Sequence, residues 1–243
     1  MVTIVIASYN CKSKISTTLD SIRHQKTNLF RLVVVDGLSN DGSIKEFQQY
    51  SDIIDLLIVE KDKGIYDAWN KAVAGLQSDW YMFIGLGDIF LNGSLKRIES
   101  LVINGKVDCY DYVSFRNILS NAMGEGLFTF GKPVQYKSLR LGMVAAHVGS
   151  LHSRRLIGNG FRTNFKICSD YSLLLENARS YRYGYFNMVN CIMEIGGVSW
   201  SVKALLEQFR IRRIYSDLPP WRNLVLFCVN FCFLIINNVR YGR

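Results

Sequence analysis

Four apolar residues, Leu32-Val33-Val34-Val35, run without a break into Asp36 and a polar turn, Gly37-Leu38-Ser39-Asn40-Asp41-Gly42-Ser43. A short valine-rich run of this kind predicts a strand buried on both faces. Asp36 then falls at the carboxyl end of that strand, the edge where open α/β sheets bind ligands. A carboxylate there cannot stabilise the fold by packing, so it calls for hydrogen-bond donors. The chain start repeats the design, with Val2-Thr3-Ile4-Val5-Ile6 entering Ala7-Ser8-Tyr9-Asn10. Two such strands with one short helix between them predict half of a nucleotide-binding sheet.

The rest of the first hundred residues extends this alternation. Ser13 to Arg23 carries Ile15, Leu19 and Ile22 at helical spacing. Asp41 is placed to cap a short helix that turns Ile44 and Phe47 inward. Ile54–Val59 predicts a third strand, Ile65 to Leu76 a helix, and Trp80–Ile84 another buried strand ending at Gly85-Leu86-Gly87-Asp88. Leu95, Ile98 and Leu101 mark a further helix. Strands and helices joined by short connections predict a parallel, doubly wound α/β sheet of Rossmann-like character. Beyond residue 105 the pattern loosens. Tyr110–Ile118 alternates as a strand, and 119–150 predicts loop-rich, substrate-facing structure. Asp170 to Arg179 predicts a helix, Met188–Ile195 a strand, and Val202, Leu205, Leu206 and Phe209 an amphipathic helix before Pro219-Pro220.

Charge and cysteine usage bear on partners. The formal charge is +9 over 243 residues, and seven Lys or Arg fall after Ser201 against only Glu207 and Asp217. Anionic lipid and nucleic acid both attract such a tail. The basic residues flank an apolar run without interleaved aromatics, which ranks nucleic acid low. The six cysteines include no C-x-x-C pair, and Cys228 and Cys232 are expected to pack. Free thiols, and a strand beginning at Val2 where a leader would lie, point to the cytoplasm.

Four groups of residues carry possible chemistry. Asp36 either accepts hydrogen bonds from a base or ribose, or opens an Asx-turn; Ser8, Tyr9 and Asn10 add hydroxyl, aromatic and amide groups. On the Ile65 helix Asp67, Asn70 and Lys71 share one face, behind a start at Lys63-Gly64 that could receive a phosphate; a solvated face is the alternative. Asp88, between glycine-rich turn residues, suits a hard cation such as Mg²⁺ or Mn²⁺, or is an ordinary turn acid. His147 and Asp170 are, respectively, a satisfied core residue and a helix N-terminal acid, or members of a site in which Asp170 acts as general base.

In this order, Val5-Ile6-Ala7-Ser8-Tyr9-Asn10, Val35 to Ser43, and Asp62-Lys63-Gly64-Ile65-Tyr66-Asp67-Ala68-Trp69-Asn70-Lys71 resemble the family 2 glycosyltransferases of GT-A fold, in particular the bacterial surface-polysaccharide type. Weaker matches follow at Gly87-Asp88, His147, Ser169-Asp170-Tyr171 and Gly196-Gly197-Val198-Ser199. The resemblance implies a GT-A domain over 1–215, with 1–105 binding nucleotide and 106–215 the acceptor. It implies that Ala7, Ser8, Tyr9 and Asp36 hold the base and ribose of a UDP-sugar, and that Lys63, Asp67 and Asn70 line the nucleotide-sugar cleft. Asp88 would be the surviving acid of a D-x-D-like motif for Mg²⁺ or Mn²⁺, with His147 as an added metal ligand. Asp170 would be the catalytic base of an inverting transfer to a lipid-linked glycan. The sequence departs from the family where paired acids are common, having Gly87 before the single Asp88. Competing readings are a degenerate, non-catalytic nucleotide-sugar-binding module and a nucleotidyltransferase. The tip Ala7-Ser8-Tyr9-Asn10 lacks the glycine- and arginine-rich phosphate loop of the latter.

The tail, 216–243, holds 17 residues without a charge from Asn223 to Val239. Trp221 and Arg222 before it, and Arg240, Tyr241 and Arg243 after it, have the character of membrane-interface anchors. The expectation is a helix on the inner face of the cell membrane, making the protein peripheral. A single span weakened by Asn230, Asn237 and Asn238, or a core or homodimer-interface helix, are the alternatives.

Overall fold

The computed structural model describes residues 1–121 and 124–240, the last four of these as backbone only. Its first half alternates strands and helices: β1 (Val2–Ser8), α1 (Lys12–Arg23), β2 (Phe30–Asp36), α2 (Ser43–Gln48), β3 (Leu56–Val59), α3 (Ile65–Ala74), β4 (Trp80–Gly85), β5 (Ile89–Phe90) and α4 (Ser94–Ile103). The four long strands lie side by side as β3-β2-β1-β4, all parallel. Because side chains alternate across a strand, the sheet feeds two cores. Ile4, Ile6, Leu32, Val34, Met82 and Ile84 meet Ile15 and Leu19 of α1 and Leu95 of α4. Val5, Val33, Val35 and Phe83 meet Ala68, Trp69 and Ala72 of α3 on the other face. Burial on both faces is why these strands read as continuous apolar runs.

The second half comprises β6 (Tyr112–Ser120), β7 (Gly126–Phe130), α5 (Tyr136–Leu139), β8 (Ala146–Ser153), α6 (Arg154–Ile157), α7 (Ser169–Glu176), β9 (Tyr183–Glu194), α8 (Val202–Tyr215) and α9 (Pro220–Arg240). Here the pairing becomes mixed. β8 runs antiparallel to β4 and to β6, while β9 is parallel to β6 and antiparallel to β5. The sheet order continues β4-β8-β6-β9-β5, with β7 beside β6. Only Leu86 to Asp88 separate β4 from β5, so the sheet has to curl until its far edge returns to the tip of β4.

Several boundaries differ from the sequence expectation. The segment 119–150 is not mainly loop: it holds the end of β6, β7, α5 and the start of β8. β7 is an exposed strand whose residues do not alternate, and β8 places His147, Ser150 and His152 in the interior. Neither leaves a periodic apolar trace. Strand β9 begins at Tyr183, five residues before the expected start. Cys228 and Cys232 do not pack: both are exposed on α9.

Helix α9 is fastened to α8. The buried Arg212 donates from Nε to Asn223 Oδ1 at 2.7 Å, and Asn223 Nδ2 donates to the Phe209 carbonyl at 2.9 Å. Phe209 also meets Phe227 edge-on, with centroids 5.9 Å apart. Among the described residues no helix is long and apolar enough to cross a membrane. The side chains of Asn237, Asn238 and Arg240, and residues Tyr241 and Arg243, lie outside the described residues. Replacing Asn223 by Ala takes the Oδ1 acceptor away from the buried Arg212 guanidinium. It is expected to lower unfolding stability by about 2–3 kcal/mol in urea titrations, and an unchanged midpoint would show that α9 is not docked this way.

Candidate active site

The parallel register brings the strand tips to one edge, with Ser8 opposite Asp36 and Ala7 opposite Gly85. Asp36 is fully buried and must be satisfied internally. Its Oδ1 accepts from the Ser39 backbone N–H and its Oδ2 from the Ser39 hydroxyl, both at 2.7 Å. Ser39 Oγ in turn accepts from the Asn10 N–H at 2.8 Å, and Asn10 Oδ1 accepts from the Asn40 N–H at 3.0 Å. The two tips are therefore stitched together through Asp36. Asp41 joins the same seam, accepting from Lys12 N at the start of α1 and from Ser43 N at the start of α2, both at 3.0 Å.

Beside this seam lies a cleft of about 410 Å³, walled by Ala7, Ser8, Tyr9 and Gly37 on one side and Lys61, Asp62, Gly64 and Ile65 on the other. Tyr9 is 63% exposed and presents its ring to the opening, whereas the buried Ser8 hydroxyl has no hydrogen-bond partner. Asp36 forms the floor support rather than the wall. A Cβ on Gly37 would stand 2.6 Å from Asp62 Oδ2 and 3.3 Å from the Tyr9 ring, so only glycine lets the two walls approach. Asp62 also accepts from the Gly64 N–H at 2.8 Å, shaping the entry to α3.

The α3 residues singled out in the sequence divide. Lys63 is exposed at the rim, and its backbone N–H donates to Asp67 Oδ2 at 2.9 Å. Asp67 lines a notch next to the cleft with Lys63 and Lys166. Asn70 faces away from the cleft and holds a loop: it accepts from Phe161 N at 2.6 Å and donates to Phe161 O at 2.8 Å. Lys71 pairs with Glu60 at 3.0 Å.

Asp88 ends the turn after β4. Its Oδ2 accepts from Gly85 N at 3.2 Å, and the turn is pinned to α1 by Thr18, which donates to the Asp88 carbonyl and accepts from Gly87 N, each at 2.8 Å. Burial pushes the Asp88 carboxyl up to about 7, opposed by the Gly85 N–H and Lys14. Gly87 has φ 102°, and a Cβ there would lie 3.1 Å from Lys14 Cδ. With the turn in this conformation a side chain at Gly87 would be strained.

His147 does not join Asp88. Its ring stacks on Phe83 (centroids 5.8 Å apart, 11° between planes) and Trp69 (5.4 Å), with His152 and Phe161 edge-on. Both ring nitrogens are buried without a partner, and burial drives its pKa down to about 3. Among the described residues no three His, Cys, Asp or Glu side chains gather as a metal-binding group. The imidazole belongs to the aromatic core under α3.

Asp170 sits in the first turn of α7, partly buried. The Tyr66 hydroxyl lies 2.9 Å from its Oδ1 and 2.7 Å from the Ile167 carbonyl. Burial raises the Asp170 pKa, and hydrogen bonds from the Tyr171 backbone and Tyr66 oppose the rise. The first turn of α3 thus borders the cleft through Gly64 and Ile65 and touches Asp170 through Tyr66. Asp62 at the cleft and Tyr66 beside Asp170 border the candidate site without being single candidates of the sequence. Both lie inside the Asp62–Lys71 stretch; for Asp62 the signal is a polar group in the turn before a helix, and the buried Tyr66 within α3 leaves none.

Residues 3–123 match the family described as Glycosyl transferase family 2. Among curated proteins, the chain is 26% identical over 177 residues to the Escherichia coli UDP-Glc:alpha-D-GlcNAc-diphosphoundecaprenol beta-1,3-glucosyltransferase WfgD, covering 72% of this chain and 69% of that protein. It is 30% identical over 106 residues to a PGL/p-HBAD biosynthesis glycosyltransferase of Mycobacterium bovis, covering 42% of this chain and 41% of the relative. An uncharacterized glycosyltransferase of Haemophilus influenzae is matched over only 34% of its length. Several such relatives are therefore spanned over well under half their length. In fold, the chain resembles S. aureus TarS 1-349 in complex with UDP-GlcNAc, with TM-score 0.69, 15% identity, and 93% of this chain and 70% of that one covered. It likewise resembles the Pyrobaculum calidifontis mannosyltransferase PcManGT in complex with GDP-Man and Mn²⁺, with TM-score 0.64, 18% identity, and coverages of 93% and 67%. The curled α/β sheet is that of GT-A glycosyltransferases, and the chain belongs to glycosyltransferase family 2.

Proposed function

We propose that the protein transfers one sugar from a nucleotide-diphosphate sugar, carried on UDP, to a lipid-linked glycan with inversion at the anomeric carbon. The observation that carries this reading is the junction at α3, whose first turn borders the cleft and also contacts the Asp170 carboxylate. The base and ribose would lie against Tyr9, Ala7 and Ser8, with Asp36 fixing that wall and Asp62, Lys63 and Asp67 along the far side. The WfgD name specifies a UDP-Glc donor and a diphosphoundecaprenol-linked acceptor, which supports the choice of both classes here.

In the proposed reaction Asp170 accepts the proton of an acceptor hydroxyl. The hydroxyl oxygen forms a bond to the anomeric carbon as the bond to the diphosphate oxygen breaks on the opposite side. The nucleoside diphosphate leaves with the electron pair. The chemistry of Asp88 fits one ligand of a divalent cation: a carboxyl whose ionised form burial disfavours is one that a cation would stabilise. Mg²⁺ or Mn²⁺ takes one or two carboxylates together with phosphate oxygens, and would supply charge neutralisation to the diphosphate. His147, neutral and enclosed by rings, is not proposed as a ligand.

Attachment to the inner face of the cell membrane is part of the proposal. The exposed residues of α8 include Val202, Lys203, Leu206, Arg210, Arg213 and Ile214. Those of α9 include Trp221, Arg222, Leu224, Val225, Val229 and Phe233. These surfaces join apolar and basic side chains without an acid. Of the two acids in this stretch, Asp217 is paired with Arg140 and Arg179, and Glu207 is occupied by backbone N–H groups. The matching surface is an anionic bilayer, to which each basic residue near the lipid adds about 1 kcal/mol.

Asp170→Asn should lower UDP release from UDP-glucose, with an undecaprenyl-diphosphate-linked sugar present, by about 10²–10⁴-fold. UDP affinity by calorimetry should stay near wild type; undiminished release would end the assignment of the base. Asp88→Asn tests the second carboxyl. A folded-state pKa of about 7, above the unfolded value, makes the wild type lose stability as pH rises through that value. The Asn variant should therefore gain thermal stability over wild type at pH 8 and not at pH 4, and lose Mn²⁺-dependent nucleotide-sugar binding. Equal melting curves at pH 8 would refute the buried carboxylate. Val229→Glu with Phe233→Glu should abolish co-sedimentation with phosphatidylglycerol-containing vesicles. Vesicle binding that survives, or a wild-type dimer that the pair dissolves, would assign this face to a second copy instead.

A further inference from the structure

Tyr66 is set to do more than pack. Its ring is wedged between Trp69 and Phe161, each with centroids 5.3 Å away, so the hydroxyl oxygen has a fixed position while its hydrogen can rotate. A hydroxyl has one hydrogen to donate and lone pairs to accept. Here it faces two oxygens at once, the Ile167 carbonyl at 2.7 Å and Asp170 Oδ1 at 2.9 Å. The segment bearing both is independently anchored. Glu207 of α8 accepts from Lys166 N at 2.7 Å and from Ile167 N and Cys168 N at 2.9 Å each.

We infer that Tyr66 is a positioning residue that serves Asp170 in both of its protonation states, by turning a single hydroxyl proton between Asp170 and the Ile167 carbonyl. While Asp170 is ionised, Tyr66 donates to Oδ1. Once Oδ1 carries the proton, Tyr66 points its hydrogen at the Ile167 carbonyl and accepts from the new Oδ1–H. Tyr66 keeps its own proton throughout, and the proton from the acceptor hydroxyl stays on Asp170. The inference rests on Asp170 being the general base.

The other groups near Asp170 do not supply this function. Tyr112 of β6 and Cys168 at the head of α7 are both held neutral by burial, and Glu207 of α8 raises the Asp170 pKa. Tyr66 on α3 is the neighbouring side chain whose hydrogen bond lowers it. Removing the hydroxyl should therefore move the Asp170 titration to higher pH.

The test is carbon NMR of the full-length protein labelled at Asp Cγ and Tyr Cζ, with Asp170→Asn and Tyr66→Phe used to assign the resonances. In Tyr66→Phe the Asp170 midpoint should rise by about one pH unit, and the acid limb of UDP release should follow it upward. In the wild type, Tyr66 Cζ should shift with the same midpoint as the Asp170 carboxyl, a readout that needs no folded variant. An unmoved Asp170 midpoint in Tyr66→Phe, or a Tyr66 resonance that ignores the Asp170 titration, would overturn the inference. Because NMR reads the proton and not the reaction, an active Asp170→Asn enzyme would defeat only the base assignment beneath it.

Discussion

A buried carboxylate without a cationic partner must be saturated with hydrogen bonds, and the ligand edge of this sheet is organised by that requirement. Asp36 has no exposed surface, so both oxygens are closed by Ser39. Ser39 is then committed to a position from which its hydroxyl receives the Asn10 N–H. One burial constraint thus fixes the turn after β2 and the turn after β1 relative to each other. Tyr9, Gly37 and the cleft between them inherit their placement from it. The two kinds of residue differ in place: Tyr9 presents its ring to the opening, whereas Asp36 lies beneath and holds the turns that carry it.

The second constraint is topological. Three residues between β4 and β5 leave no room for an open sheet once β8, β6 and β9 have been inserted along the pairing path. The sheet closes back toward its own centre, and the turn carrying Gly87 and Asp88 is trapped at the closure. Thr18 bonds that turn on both sides of Asp88 Cα, through the Gly87 N–H and the Asp88 carbonyl. The turn holds Gly87 in the left-handed region and buries the Asp88 carboxyl, whose pKa that burial raises.

Legibility in the sequence follows from these two constraints. The parallel half was readable because strands buried on both faces are apolar throughout, as Leu32–Val35 and Trp80–Ile84 are. The polar tips stand out against those runs, and Ser8, Tyr9, Asp36 and Asp88 are legible as strand-end candidates for that reason. The second half was not readable by the same rule. β8 buries His147, Ser150 and His152 between two antiparallel neighbours, so polar residues occupy core positions. His147 has the composition of a ligand and the environment of a phenylalanine. Asn70 lies on the helical face shared with Asp67, as its spacing required, yet the partner on that face is the Phe161 backbone. Spacing identifies a face; it does not identify what the chain brings back to it from 91 residues away.

Asp88 and Asp170 show how one physical effect can prepare two different groups. Burial raises the pKa of each. At Asp88 the relief nearby is a backbone N–H and the charge of Lys14, an environment that additional positive charge would improve, and a cation would satisfy it by taking the place of the proton. At Asp170 the relief includes a hydroxyl that can donate or accept, an environment that tolerates either state of the carboxyl. A group that must hold charge needs the first setting, and a group that must gain a proton during turnover needs the second. On the proposed reading, the division of labour between the carboxyls is therefore set by the neighbour opposing burial: a backbone N–H with Lys14 at the end of β4, and a rotatable hydroxyl beside the start of α7.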